Sequence, residues 1–275
     1  MATVAAVYDL EPVTRVPEDV IAELRPLRDA AKPRPRARNK RVWASLKKTA
    51  YDVACEMFDE AQRRDPKQLR RWVVLVDGSR HQIFDVLTIA KSRGLKVTLV
   101  LDFIHVLEYL WDAAWAFFAD ADKNAELWVN QRALKILEGK ASRVAAGIRR
   151  SATRRALSVQ ERRSPDACAD YLLSKPKMLR YDLFLARGFP IATGVIEGAC
   201  RHLINDRMEI TGARWSLDGA EAILKLRSLR SSGDFDDYWR VHLEAERHRT
   251  HLSHYSTQNA QPASRPTLRL VPASS

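Results

Sequence analysis

Cysteine is scarce in this chain: Cys55, Cys168 and Cys200 are the only three in 275 residues, scattered and odd in number. Such usage excludes a disulfide-stapled secreted scaffold and fits a reducing cytoplasm. Long apolar runs are missing too. The most aromatic stretch, Tyr109 to Ala119, is interrupted by Asp112, and nothing approaches the ~20 apolar residues of a membrane span. The start of the chain has no basic segment followed by an apolar one, so it offers no secretory signal. No internal repeat recurs. Acids are in short supply, 34 against 46 basic residues, for a net charge of +12 and a pI near 9.8. That imbalance favours a polyanionic partner, of which nucleic acid is the usual one, although it also serves solubility.

Hydrophobic residues are plentiful at 46%, enough for one large core or two modest ones. The chain is organised around Trp72 to Glu108. Val73–Val76 and Val97–Leu101 are continuous β-branched and leucine runs, the pattern of strands buried on both faces. Between them Ile83, Val86, Leu87 and Ala90 share a helical face that stops at Gly94. This is a βαβ unit with a parallel strand pair. Its strands end in Asp77 and Asp102, at the edge where open α/β sheets hold ligands.

Thr3 to Tyr8 reads as a further strand, and Pro17 opens a brief helix that Pro26 disturbs. Lys32 to Lys40 is a basic, proline-broken linker. Asn39 is expected to cap a helix running to about Arg64, because Val42, Leu46, Ala50, Val53, Met57 and Ala61 recur at helical spacing. Beyond Asp102 the pattern is helical: 104–118, 126–157 with a break near Gly139 or Gly147, 166–173, 178–186, a helix around Ile196–Ile204, then 217–229 and 235–246. Tyr51, Trp111, Trp115 and Trp239 read as core aromatics. From Ser256 onward the composition is that of a disordered tail.

A carboxylate at a buried strand end is costly unless it caps a helix, meets a cation or is paired. Asp77 and Asp102 each precede a helix and can cap it. Glu197 can pair with Arg201, four residues on. Taken together, the three acids fit another geometry, in which strand-end carboxylates and one on a later helix share Mg²⁺ or Mn²⁺ for attack on a phosphodiester. That is the RNase H-like arrangement: a mixed sheet with acids on its first and fourth strands and a third acid on a late helix. Arg149, Arg150, Arg154 and Arg155 are a solvated face or, with the net charge in view, a phosphate-tracking one. Arg201 and His202 can reach a scissile phosphate or form a surface ion pair. Trp215 can stack on a base or pack in the core. His248, His251 and His254 recur every third residue without an acid or cysteine partner, a weak metal signal.

The stretches VVLVDGSRHQI, LDFIHVLEYLW, GFPIATGVIEGACRHLINDRM and TGARWSLDGAEAILKLRSLRSSGDFDDYW resemble the Kra-type insertion-sequence transposases, bacterial DDE enzymes related distantly to the Mutator-like group. The resemblance runs from about Thr3 to Tyr255. It implies an RNase H-like α/β core at 1–103, a large all-α insertion at 104–189, C-terminal helices at 190–255 carrying the third acid, and a tail at 256–275. It makes Asp77 the second catalytic acid and Glu197 the third, both metal ligands, with Asp102 and His105 as an auxiliary acid-x-x-histidine element. The implied partner is double-stranded DNA at the element ends, the implied setting the bacterial cytoplasm and nucleoid with no membrane, and the implied assembly a homo-oligomer.

The family's first acid, in an Asp-Gly motif upstream of the TVAAVYD strand, has no match. Residues 10–40 show no strand pattern, so Thr3–Tyr8 is expected to be the third strand, with the first two missing. The expectation is a truncated transposase lacking its first catalytic aspartate. The alternative is an inactive DNA-binding remnant that poisons mixed oligomers with an intact transposase.

Overall fold

The computed structural model describes residues 2–24 and 35–252. The chain divides into two units, residues 1–232 and 233–275, and its architecture is mixed α/β, mostly helical with few short strands.

In the first unit, β1 (Thr3–Leu10) leads through a short helix, α1 (Pro17–Glu23), to β2 (Ala37–Ser45). The two strands pair antiparallel, from Thr3 opposite Ser45 to Leu10 opposite Ala37. The register slips between Val7 and Asp9, where Asn39 and Lys40 together oppose Tyr8 and Asn39 takes a φ of 49°. This is a bulge, with asparagine supplying the left-handed residue.

β2 corrects the expected helix at 39–64. Val42 and Leu46 are four apart, and four is a multiple of the strand period as well as about one helical turn, so the spacing alone could not choose. The alternation of buried Val42 and Ala44 around Trp43 is a strand pattern. The helix α2 (Ala50–Arg64) starts only at Thr49, whose Oγ1 accepts the Asp52 N–H at 3.1 Å while the Asp52 carboxylate accepts the Thr49 N–H at 3.1 Å. That reciprocal pair is the capping box that marks a helix start.

The βαβ unit forms as expected. β3 (Trp72–Val76) and β4 (Val97–Leu101) pair in parallel, Trp72 opposite Val97 and Val76 opposite Leu101, with α3 (Arg80–Ser92) crossing between them. β1–β2 and β3–β4 are separate two-stranded ladders, and α2 packs against both β1 and α3.

Helices α4 (Phe103–Ala114), α5 (Lys123–Leu137), α6 (Ala141–Arg154), α7 (Arg163–Ser174) and α8 (Tyr181–Ala186) follow, with a 3₁₀ turn at Pro176–Leu179. One core joins them to the parallel strands: Val76, Val100 and Leu101 are contiguous with Leu110, Ile136, Ile148, Leu172 and Leu185. The helical stretch is therefore built onto the strand pair rather than tethered to it.

The last part of this unit comprises α9 (Gly194–Ala199), a π-helical turn (Cys200–Asn205), the single turn α10 (Asp206–Met208) and α11 (Leu217–Ser232). Ala199, Leu203 and Leu224 close a second core over Val42 and Ala44 of β2. Buried Glu221 fastens α11 to the end of β2, accepting the Ser45 hydroxyl at 2.9 Å and the Leu46 N–H at 2.8 Å.

The second unit holds α12 (Phe235–Arg247) and a π-helical turn at His248–Leu252. Trp239 stacks on Phe235 at 6.1 Å but stays exposed, as do Trp115 and Tyr51, so these three are not core residues. Trp111 is half-buried, stacked on Trp115 at 5.4 Å. The tail at 256–275, His254, Pro26 and Lys32 to Arg34 lie outside the described residues. No helix among the described residues is long and apolar enough to cross a membrane.

Candidate active site at the carboxyl edge of the parallel strands

β3 and β4 deliver their terminal acids side by side, and the Asp102 N–H donates to the Val76 carbonyl at 2.8 Å, carrying the ladder one step past the strands. Asp77 is exposed. Its Oδ1 accepts the Ser79 N–H at 2.7 Å, its own N–H donates to Gln82 Oε1 at 3.1 Å, and its carbonyl accepts the Tyr171 hydroxyl at 2.8 Å. The carboxylate thus closes a tight turn instead of capping α3, and among the described residues no hydrogen bond engages Oδ2.

Gly78 makes the turn possible. Its φ is +96°, and a Cβ there would lie 2.9 Å from Tyr171 Cε2 and 3.0 Å from Leu101 Cδ1. Any other residue would be strained and would press on the ring that holds the Asp77 backbone.

Asp102 is 2% exposed. Its Oδ1 accepts the Ile104 N–H at 3.0 Å, which caps α4, and its Oδ2 accepts the Thr193 hydroxyl. Both oxygens are engaged, so Asp102 ties the strand edge to the segment leading into α9. The Phe103 N–H, donating to the Ile191 carbonyl at 2.8 Å, makes the same tie through the backbone.

Glu197 sits on α9 immediately beyond that tie. Partial burial pushes its carboxyl above the usual range, the negative charges of Asp102 and Glu108 add to the rise, and His105 opposes it. The His105 ring nitrogen Nδ1 lies 2.6 Å from Glu108 Oε2. Asp102, His105, Glu108 and Glu197 therefore share one electrostatic neighbourhood. Asp77 acts instead on Tyr171, whose phenol is raised by burial and then by the charges of Tyr109, Asp77, Asp102 and Glu108, and it is not among the charges that shift Glu197.

Glu197 and Arg201 do not pair. The π-helical turn begins at Cys200, and there the neighbour on one face comes about five residues later. Arg201 accordingly faces Asp206 at 4.0 Å, and His202 Nδ1 meets the same carboxylate at 3.0 Å. The His202 carbonyl accepts Arg227 Nε at 2.8 Å. Trp215 is half-buried, with Arg207 5.7 Å over its ring and its indole N–H buried without a partner, between the base-stacking and core-packing alternatives. Arg149 is engaged by Asp170 at 2.6 Å and Asp166 at 3.8 Å, which makes it part of the α6–α7 contact. Arg150 and Arg154 are exposed, while Arg155 turns onto Phe117 and Phe118.

Several residues of this edge carried no legible signal. Thr193 and Glu108 are common residue types without a motif. Tyr8 comes from the bulge of β1; burial raises its phenol to about 12, and the charge of Asp102 contributes. Tyr171 lies 94 positions from the carbonyl it grips, a separation no local pattern encodes.

Among the described residues no group of three or more His, Cys, Asp or Glu side chains is arranged to hold a metal ion. The donor chemistry at the edge nonetheless suits a hard cation: among the described residues no hydrogen bond engages Asp77 Oδ2, and the Glu197 carboxyl lies among like charges without a cationic side chain bonded to it. No family model, no curated protein and no solved structure matches the chain.

Proposed function

We propose that this chain belongs to the DNA transposases of insertion sequences and acts through Mg²⁺- or Mn²⁺-dependent phosphodiester cleavage and strand transfer at terminal repeats. The observation that carries the reading is geometric: Asp77 and Asp102 end neighbouring parallel strands, and Asp102 and Phe103 hydrogen-bond to Thr193 and Ile191 just ahead of Glu197, on which the charges of Asp102 and Glu108 bear. A divalent cation relieves that repulsion, and Asp77 and Glu197 are the residues that would hold it. Bound there, it would supply an activated oxygen nucleophile and charge neutralisation at the phosphate. Asp102 would position, with both oxygens committed to Thr193 and Ile104, and His105 would tune the charge near Glu197 through Glu108. Exposed Arg150 and Arg154 would track the DNA backbone.

The element order supports an RNase H-like core and changes its bookkeeping. Two antiparallel strands precede α2, so in this reading β1 and β2 are the second and third strands, and β3 and β4 the fourth and fifth. Only the first strand, with its acid, is then unaccounted for among the described residues.

The test is nicking and strand transfer on a terminal-repeat duplex with Mg²⁺ or Mn²⁺. Wild-type activity that falls to background in Asp77→Asn and in Glu197→Gln supports the reading. Metal-dependent cleavage that survives both substitutions overturns it. The second reading, a non-catalytic DNA-binding or oligomer-poisoning remnant, is favoured by the absence, among the described residues, of a group of three or more His, Cys, Asp or Glu side chains arranged to hold a metal ion. It predicts duplex binding without cleavage, and inhibition when the chain is mixed with a complete enzyme.

A further inference from the structure

Two arginines of the helical stretch stand together without an acid. Arg132, on α5, lies flat over the Trp128 indole at 3.7 Å and donates from Nη1 to the Trp128 carbonyl at 3.1 Å. Arg155, just past the end of α6, lies 5.2 Å and 5.5 Å from the Phe117 and Phe118 ring centres and donates from Nη1 to the Phe117 carbonyl at 2.5 Å. The three rings form one cluster, with Trp128 5.5 Å from Phe117 and tilted to it, and 6.3 Å from Phe118 and edge-on to it.

Some arginines of the helical stretch are neutralised: Arg149 by Asp170 and Asp166, Arg162 by Asp166, Arg180 by Asp182. Among the described residues, neither Arg132 nor Arg155 has a carboxylate within ion-pair distance, and Asp112, which acts on the nearby Cys168, pairs with neither. Each guanidinium has five N–H donors and spends one nitrogen on a backbone carbonyl. Arg155 is exposed and Arg132 half-buried, and among the described residues no hydrogen bond engages Nε or Nη2 of either guanidinium. Burial and then the charge of Arg155 pull Arg132 down to about 10, the response of a cation short of a counter-charge.

Two forked cations, each held against aromatic rings and by a backbone carbonyl and neither paired with a carboxylate among the described residues, match the oxygens of a phosphate. We propose that Arg132 and Arg155 form a phosphate-binding notch on the helical stretch, held against the cluster of Phe117, Phe118 and Trp128. The phosphate can come from a nucleic-acid backbone or from a free phosphate compound. The nucleic-acid source rests on the function proposed above; the notch itself does not.

The test uses the full chain and three variants. Arg155→Gln removes one charge at an exposed position, Arg132→Lys keeps charge but removes the fork, and Arg71→Gln, just ahead of β3, is an exposed charge control outside the helical stretch. Binding of a fluorescein-labelled 30-base-pair duplex is followed by anisotropy across a salt series, and inorganic phosphate and pyrophosphate are titrated by thermal shift. The expected result is a loss of duplex affinity of about tenfold in Arg155→Gln and Arg132→Lys, the scale of a lost charge-assisted contact. The slope of log affinity against log salt should fall by about 0.9, one phosphate contact, in Arg155→Gln. Stabilisation of the wild type by phosphate or pyrophosphate, lost in the same variants, assigns the notch to free phosphates as well, and duplex weakening alone assigns it to the backbone. If both notch variants, shown folded by circular dichroism, weaken duplex binding no more than Arg71→Gln and respond to phosphate like wild type, the notch is only a cation–aromatic packing contact. Should Arg132→Lys not fold, Arg155→Gln decides alone. None of these readouts involves DNA cleavage, so failure here is separable from failure of the transposase reading.

Discussion

At the scale of single residues, the strand edge combines a strained turn with an unrelieved charge, and each makes a prediction. Gly78→Ala places a methyl group 2.9 Å from the Tyr171 ring at a φ of +96°. The expected cost is about 1–3 kcal/mol, measured by denaturant unfolding, from backbone strain and the displaced ring. Because the Tyr171 hydroxyl also holds the Asp77 carbonyl, any metal binding through Asp77 should weaken with it. Glu197 makes the opposite kind of prediction. A carboxyl whose folded pKa is raised binds its proton more tightly in the folded state than in the unfolded one. Its favourable contribution is complete below the unfolded pKa and is lost as pH rises through the folded value. Glu197→Gln should therefore raise the melting temperature relative to wild type at pH 8, and the difference should close by pH 4. Adding Mg²⁺ at pH 8 should stabilise the wild type and leave Glu197→Gln unmoved. A variant no more stable than wild type at pH 8 would remove the charge argument at this edge.

At the scale of elements, legibility followed periodicity. β3, α3 and β4 were readable because a five-residue β-branched strand, a thirteen-residue amphipathic helix and a terminal glycine each carry a local signature. Asp102 as a helix cap was readable for the same reason. β2 was not, since Val42 and Leu46 satisfy both periods, and the deciding signal was the Thr49–Asp52 capping box seven residues further on. The broken Glu197–Arg201 pair was illegible, because nothing in CRHLIN announces a π-helical turn. The docking of α11 on β2 was likewise hidden in Glu221, an acid that reads as surface and is 4% exposed. Burial raises its pKa, but the Leu46 N–H, the Ser45 hydroxyl and Lys225 more than compensate, so the net shift is downward. This contribution is present above the unfolded pKa of Glu221 and is lost as pH falls through the lower, folded one. Glu221→Ala should cost about 1–3 kcal/mol at pH 7, from two buried donors left without an acceptor. The cost relative to wild type should shrink below pH 4. Equal stability of the two proteins at pH 7 would show that the second core holds α11 without this tie.

At the scale of the first unit, the candidate acids are held by different cores. Asp77 and Asp102 end strands whose Val76, Val100 and Leu101 belong to the core shared with α4–α8. Glu197 lies on α9, whose Ala199 belongs to the core over β2 with Leu203 and Leu224. The Thr193–Asp102 hydrogen bond and the Phe103–Ile191 backbone contact join the two just before α9. The distance from Asp77 to Glu197 is therefore governed by a short link between two packed bodies of one unit, and mutations can disturb one body without the other. Leu110→Ala, in the larger core, should cost about 2–5 kcal/mol, as fully buried leucines do. It should also lower amide protection across β4 as well as α4, because strand and helix share that core. Leu224→Ala should cost a similar amount and act elsewhere: hydrogen exchange should quicken in β2 and in Leu203–Ile204 while β3 and β4 keep their protection. In that variant any metal affinity should fall through misplacement of Glu197 alone. If both variants instead loosen all four strands to the same extent, the two cores act as one, and the acid edge is as rigid as the unit that carries it.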